Sequence, residues 1–340
     1  MKEIAIPQQP LHGACHSERV NHLTFVAASH QRRISPSRRD PSLTLRRNAP
    51  HGAYPLRVTT ASFALLRKIP SLVLLLLTLT GLLTACSTTP RSPTATPIPV
   101  PAGWNLVWHD EFDGDSIDRS NWTFDLGAGG WGNGEAEYYT SRPENARVEN
   151  GKLTIEARQE KYEGSYYTSA RLKTQGLQSF QYGRIEARLK VPAGAGVWPA
   201  FWMLGADFDG KNWPDCGEVD IMEYIGKEPD LIMGTLHGPG YSGALGFSKW
   251  NRQKYNITDD FHTYAVEWEP DRITWFYDGA EYFTVTGADV GDRKWVFKHP
   301  FFIILTLALG GQLAGPIGLQ TAFPAQLQVD YVRVFQAANP

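Results

Sequence analysis

Asn150-Gly151-Lys152-Leu153-Thr154-Ile155-Glu156-Ala157-Arg158 alternates polar and apolar side chains from its third residue on, directly after an Asn-Gly pair. Successive side chains of a strand point to opposite faces, so a period of two marks a strand buried on one side. Asn-Gly supplies the positive-φ turn that leads into it. The period recurs along the chain. Ile185, Ala187, Leu189 and Val191 alternate with Arg184, Glu186, Arg188 and Lys190. Ile273, Trp275 and Tyr277 run into Asp278-Gly279, a second hairpin signal, and Tyr282-Phe283-Thr284-Val285 follows it. Phe301 to Leu309 is apolar except for Thr306, as a central strand covered on both faces would be. Val329, Tyr331, Val332, Val334 and Phe335 close the pattern. Helical stripes and internal repeats are both missing, and Gly or Pro interrupts the chain at short intervals. This reading predicts an all-β fold, an antiparallel β-sandwich of jelly-roll type in which one curved sheet offers a concave cleft.

Charge separates the chain into two parts. Residues 1–86 hold 11 Lys/Arg against 3 Asp/Glu, whereas residues 87–340 hold 22 against 32. The acidic body excludes nucleic acid as a partner, since phosphate binding needs clustered Lys and Arg. All 11 Trp lie beyond residue 103. Indole faces stack on pyranose rings, although filling a β core accounts for most Trp in such a domain. Of the three cysteines, Cys15, Cys86 and Cys216, only the last falls in the body. No disulfide framework is available there, so the domain, placed at residues 103–338, must hold together by its core. A monomer is expected.

Ser71 to Leu83 is an apolar run behind Arg67-Lys68, too short for a membrane span and suited to the core of a signal peptide. Leu83-Thr84-Ala85-Cys86 resembles a bacterial lipobox, which implies lipidation of Cys86 and export to the cell surface, with membrane contact through the lipid alone. An ordinary secretory signal ending beside a chance cysteine is the alternative. Residues 67–86 are thus expected to be a signal segment, and 87–102, crowded with Ser, Thr and Pro, a tether. The Arg/Ser/Pro/His-rich residues 1–66 are expected to reflect a start codon assigned too far upstream.

Asp215-Cys216-Gly217-Glu218-Val219-Asp220-Ile221-Met222-Glu223-Tyr224 carries the chemistry. In a regular strand Glu218 and Asp220 share a face, but Glu223 would point into the core, where an unpaired carboxylate is very costly. One extra residue, a β-bulge at Ile221-Met222, turns Glu223 back onto the face of the other two. Three acids so close cannot all ionise freely, so at least one pKa should rise. Retaining glycosidases use such a set: one carboxylate attacks the anomeric carbon, and a second, protonated at rest, gives its proton to the leaving oxygen and later serves as base for the water. A solvated acidic strand or a cation site would show the same three residues.

Glu218-x-Asp220-x-x-Glu223, with Trp198-Pro199-Ala200-Phe201-Trp202-Met203-Leu204 upstream, resembles glycoside hydrolase family 16, the bulged branch that contains the laminarinases. Trp131-Gly132-Asn133, Glu137-Tyr138-Tyr139-Thr140, Tyr182 to Arg188, Thr235-Leu236-His237-Gly238 and Val329 to Val334 resemble further family blocks in the same order, over residues 104–336. The resemblance implies a concanavalin A-like sandwich and hydrolysis of β-1,3-glucan. It implies Glu218 as nucleophile, Glu223 as acid/base, and Asp220 between them to hold the nucleophile. It further implies Trp198 and Trp202 as sugar-stacking walls, Asn133 and Arg171 reaching sugar hydroxyls, and His237 near the acid/base. No cofactor is implied for catalysis. A structural Ca²⁺ is implied at Glu111, the Gly151 carbonyl and Asp330, where oxygen-only ligands suit a hard cation.

Two positions depart from the pattern: Thr306 and Gly134 stand where many relatives carry Asn, so polar contacts there are expected to differ. Cys216 is expected to be a small buried hydrophobe. An agarase-like galactan hydrolase, a transglycosylase and a non-catalytic glucan-binding protein on the same sandwich remain open alternatives.

Overall fold

The computed structural model describes residues 97–338. Residues 1–66, the signal segment with Cys86, and most of the tether lie outside the described residues. The strands, in chain order, are β1 (Trp104–Asp110), β2 (Thr123–Asp125), β3 (Tyr138–Tyr139), β4 (Ala146–Glu149), β5 (Lys152–Tyr162), β6 (Ser165–Ser169), β7 (Arg171–Lys173), β8 (Gly183–Lys190) and β9 (Val197–Gly205). They continue as β10 (Glu218–Tyr224), β11 (Leu231–His237), β12 (Phe247–Arg252), β13 (His262–Glu269), β14 (Arg272–Tyr277), β15 (Ala280–Thr286), β16 (Phe301–Leu309) and β17 (Ala325–Ala337). Among the described residues the one α-helix is a single turn, Gly311–Ala314, consistent with the missing helical stripe.

Two sheets form the sandwich. The seven-stranded sheet runs β12-β11-β10-β9-β16-β7-β2, and the ten-stranded sheet runs β15-β14-β13-β8-β17-β5-β6-β3, with β1 on β17 and β4 on β5. All pairings are antiparallel except the short β3–β6 pair. The predicted alternations fall where expected. Leu153, Ile155 and Ala157 of β5, and Ile185, Ala187 and Leu189 of β8, are fully buried between the sheets, while the interleaved arginines and glutamates line the outer face. Asp278 and Gly279 both take positive φ, 46° and 77°, in the two-residue turn between β14 and β15, as such a hairpin demands.

Strand β16 is buried along its whole length, yet its two faces differ. Ile303, Leu305, Leu307 and Leu309 pack in the main core. Phe302 and Ile304 join a satellite cluster with Leu204 and Cys216 on the other face, against which Trp202 packs. Thr306 and Ala308 follow them on that second face and line the cleft. Cys216 is therefore a core residue, and burial, with Glu218 as a smaller cause, pushes its thiol up to about 11. That thiol stays protonated and inert at neutral pH.

Candidate active site

Strand β10 carries the bulge that the three acids require. Against β9, Asp220 faces Trp202 and Met222 faces Phe201, so Ile221 is the extra residue. Against β11 the shift lies in the same place, between Asp220 opposite Thr235 and Glu223 opposite Met233. Val219, Ile221, Met222 and Tyr224 are all buried in the main core. Glu218, Asp220 and Glu223 turn the other way and line one cleft with Asn133, Glu135, Trp198, Trp202 and Thr306. The two-for-one count keeps both sides of the strand consistent with burial.

Two donors hold Glu223. Trp198 Nε1 donates to its Oε1 at 3.2 Å, and the Thr235 hydroxyl to its Oε2 at 3.2 Å. Ser248 Oγ donates in turn to Thr235 Oγ1 at 3.2 Å. A hydroxyl can donate or accept, so this pair satisfies Oε2 whether Glu223 is ionised or carries a proton. His237 stands opposite Glu218 in the β10–β11 register. The resemblance placed His237 near the acid/base; its Nε2 lies 3.3 Å from Asp220 Oδ2 and 3.9 Å from Glu218 Oε1, and its charge also acts on Glu223. A Cβ on Gly246 would lie 2.5 Å from His237 Nδ1, so the glycine keeps room for the ring.

Burial is the main cause that raises the pKa of each acid, because the charged form loses its hydration. Glu218 is pushed up to about 8, with the charge of Asp220 as the next cause. Glu223 is pushed up to about 7, with His237 opposing the rise and Glu218 adding to it. Asp220 is raised well above its ordinary value by burial and by the charge of Glu223. The three titrate as a set, and protons leave the set in steps that belong to no one carboxyl.

The walls of the cleft combine stacking surfaces with polar contacts. Trp202 donates through Nε1 to Thr306 Oγ1 at 3.0 Å, so the residue that departs from the family pattern holds the indole. Asn133 lines the cleft and donates to Glu135 Oε1 at 3.0 Å; Tyr139 donates to Glu135 Oε2 at 2.7 Å. Arg171 stands behind this wall. Its guanidinium lies 4.6 Å from the Trp202 ring centroid and 5.1 Å from that of Trp131, and its Nε is 2.9 Å from Asp125 Oδ2. Arg171 thus braces Trp202, close enough to Glu218 for its charge to oppose the rise of that pKa. Sequence reasoning missed Glu135, Thr235, Ser248 and Trp131. Trp131, at φ 47° between glycines that announce an unusual backbone, and Thr235, two residues before His237, sit in motifs already singled out, whereas Glu135 and Ser248 do not.

The implied Ca²⁺ donors come to one region, since β17 pairs with both β1 and β5. However, both oxygens of Glu111 accept from Arg333, at 2.9 and 2.7 Å, and Asp330 Oδ2 accepts from Arg188 at 2.8 Å. Two guanidinium groups already neutralise these carboxylates, and a divalent cation would compete with both. As arranged, the donor set does not fit Ca²⁺. Among the described residues, the one cluster of three acidic or imidazole groups close enough to share an ion is Glu218, Asp220 and His237, which belongs to the cleft.

Residues 133–333 match the description "Glycosyl hydrolases family 16". The chain belongs to this family. A β-glucanase from Rhodothermus marinus is 47% identical over 244 residues, covering 68% of this chain and 85% of that protein. The solved endo-β-1,3-glucanase of Pyrococcus furiosus aligns with a TM-score of 0.67 at 46% identity, over 69% of this chain and 95% of that one. The laminarinase catalytic domain of Thermotoga maritima aligns with a TM-score of 0.67 at 44% identity, over 69% and 99%. For this family-16 chain the antiparallel sandwich and the glycosidase class both follow, and the bulge on β10 is the feature that brings its acids together.

Proposed function

We propose that this family-16 chain is a retaining endo-β-1,3-glucanase working by double displacement. The observation that carries the reading is the bulge: it brings Glu218, Asp220 and Glu223 onto one cleft face between indole walls. The relatives, a β-glucanase, an endo-β-1,3-glucanase and a laminarinase, support the substrate.

Glu218 attacks the anomeric carbon while Glu223 gives its proton to the leaving oxygen. The glycosyl ester on Glu218 is then released by water, from which Glu223 takes a proton. Glu223 must be satisfied before and after it loses the proton, and the Thr235–Ser248 hydroxyl pair provides for both states. Asp220, hydrogen-bonded to Glu218 and 3.3 Å from His237 Nε2, shares a proton or a charge with the nucleophile and fixes its orientation. Export as a lipoprotein anchored through Cys86, with the catalytic domain acting as a monomer, belongs to the same proposal. It is supported by the apolar run and the Leu83 to Cys86 motif, and Cys86→Ser with membrane fractionation tests it.

Azide rescue tests the two assignments. Glu218→Gly with an aryl β-laminaribioside and azide should yield the α-glycosyl azide, because azide then attacks from the vacated face. Glu223→Ala should yield the β-azide, formed from the intact glycosyl-enzyme. The opposite pairing would exchange the two roles. Reducing-sugar release from laminarin, lichenan and agarose tests the substrate, and release from agarose alone would refute the glucanase reading.

A further inference from the structure

Trp250 lies on β12, the edge strand of the concave sheet. Its register places it opposite Met233, which stands opposite Glu223. The side of the sheet it occupies follows from its neighbours. A Cβ on Gly234 would strike the Trp275 ring in the core at 2.5 Å, so Met233 and Thr235, on either side of it, face the cleft. Thr235 reaches Glu223, and Ser248 on β12 reaches Thr235. Trp250 is two residues beyond Ser248 and shares its face. Other indoles are spoken for. Trp198 and Trp202 donate within the cleft, Trp268 and Trp275 are core residues, and the ring of Trp213 abuts His237 at 6.0 Å. Trp250 stays 44% exposed, a large apolar surface on a cleft-facing row.

The row crosses the strands in one direction. Trp198, Trp202 and Thr306, on β9 and β16, lie on one side of β10, while β11 and β12 lie on the other. If sugars retained on the nucleophile stack over β9, the leaving part of the chain must pass over β11 and β12. Strands are about 4.8 Å apart, so Trp250 stands roughly 10 Å from β10, about two sugar rings past the cleaved bond. The nearest basic group on that face, Arg252, is paired with Glu228 at 3.1 Å and with Asp230, which leaves a site suited to an uncharged ligand.

We propose that Trp250 and the Ser248 hydroxyl form an acceptor-side subsite that holds a glucosyl unit of the leaving chain by ring stacking. This inference rests on the glucanase reading and adds where the second half of the substrate binds. Its experiment compares wild type, Trp250→Ala and Trp250→Phe on laminarin and on an aryl β-laminaribioside, which has no sugar to place over β12. The ratio of kcat/KM for laminarin to that for the aryl glycoside should fall about three- to ten-fold in Trp250→Ala and be largely restored in Trp250→Phe. Cuts in end-labelled laminari-oligosaccharides should move toward the reducing end. Unchanged ratio and cut positions would overturn the subsite while leaving the hydrolase intact; a wild type inert on both substrates would overturn the glucanase reading. A binding measurement covers that second case. In a Glu218→Gln background, migration through laminarin-containing gel should be faster with Trp250→Ala than without it, and equal retardation would refute the subsite.

Discussion

The two sheets handle acidic side chains in opposite ways. On the outer face of the ten-stranded sheet, Glu156 lies between Arg147 and Arg158, Glu186 and Glu267 share Arg184, Glu111 takes Arg333, and Asp330 takes Arg188. Toward that sheet's margin, Glu149 and Glu160 are held below their ordinary pKa, Glu149 chiefly by Arg147 and Glu160 chiefly by the Thr168 hydroxyl. On the cleft floor, among the described residues, no Arg or Lys pairs with Glu218, Asp220 or Glu223. They meet an imidazole, an indole N–H and a hydroxyl, and all three pKa values rise. Burial alone does not separate the groups, since Glu156 on the outer face and Asp220 in the cleft are only 3% and 4% exposed. What differs is compensation. Among these acids, those with a guanidinium beside them belong to the scaffold, and the three of the cleft, without one, are kept under tension for chemistry.

The largest test of this contrast is loss of activity. Glu218→Gln should lower kcat on laminarin by about 10³-fold or more, whereas Arg184→Met on the outer face should change it less than about two-fold. Comparable losses of kcat in both would break the comparison. Stability should run the other way. Arg184→Met leaves Glu186 and Glu267 without their shared cation and should cost about 2–4 kcal/mol in denaturant unfolding. A smaller effect separates the two groups by pH. The cleft acids have folded pKa values above their unfolded ones, so between about pH 5 and 8 the folded state binds more protons, and stability must fall as pH rises through that window. Glu218→Gln should flatten this fall and gain about 1–3 kcal/mol at pH 8, read from melting curves of both proteins across pH. A mutant as pH-sensitive as wild type would remove Glu218 from the set. The smallest expected effect concerns the wall: Thr306→Val removes the acceptor that holds Trp202 and should lower kcat/KM about three- to ten-fold. Rescue by Thr306→Ser, which restores a hydroxyl at the same place, would separate that hydrogen bond from a packing defect.

Much of this was legible in the sequence where one short segment contains the whole argument. The parity of Glu218, Asp220 and Glu223 demanded a bulge at Ile221-Met222, and the strand bulges there. Alternation along β5 and β8 identified which side of each strand is core. Contacts between distant segments were not legible. Trp202 and Thr306 are 104 residues apart, and nothing in either neighbourhood announces that one holds the other. His237 could be put near the acids but not assigned among them, because that choice depends on β10–β11 register. Arg171 was implied as a sugar ligand by resemblance alone, and its place beside Asp125 and two indoles was not legible from the sequence. Thr235 and Ser248 look like ordinary strand residues until two strands are laid side by side.

The bulge also makes β10 behave like a message with a frameshift. Upstream of Ile221, odd-numbered residues read "core" and even-numbered ones read "cleft"; downstream, Glu223 reads "cleft" and Tyr224 "core". Point substitutions alter single letters, but deleting Met222 would restore one frame to the whole strand. Glu223 would still reach the cleft and Tyr224 the core, now without a bulge, whereas one residue added after Met222 of the bulged strand would deliver Glu223 to the hydrophobic interior and Tyr224 to the cleft, although every side chain needed for the reaction was still encoded. In this protein the spacing of residues is as much a part of the catalyst as their identity.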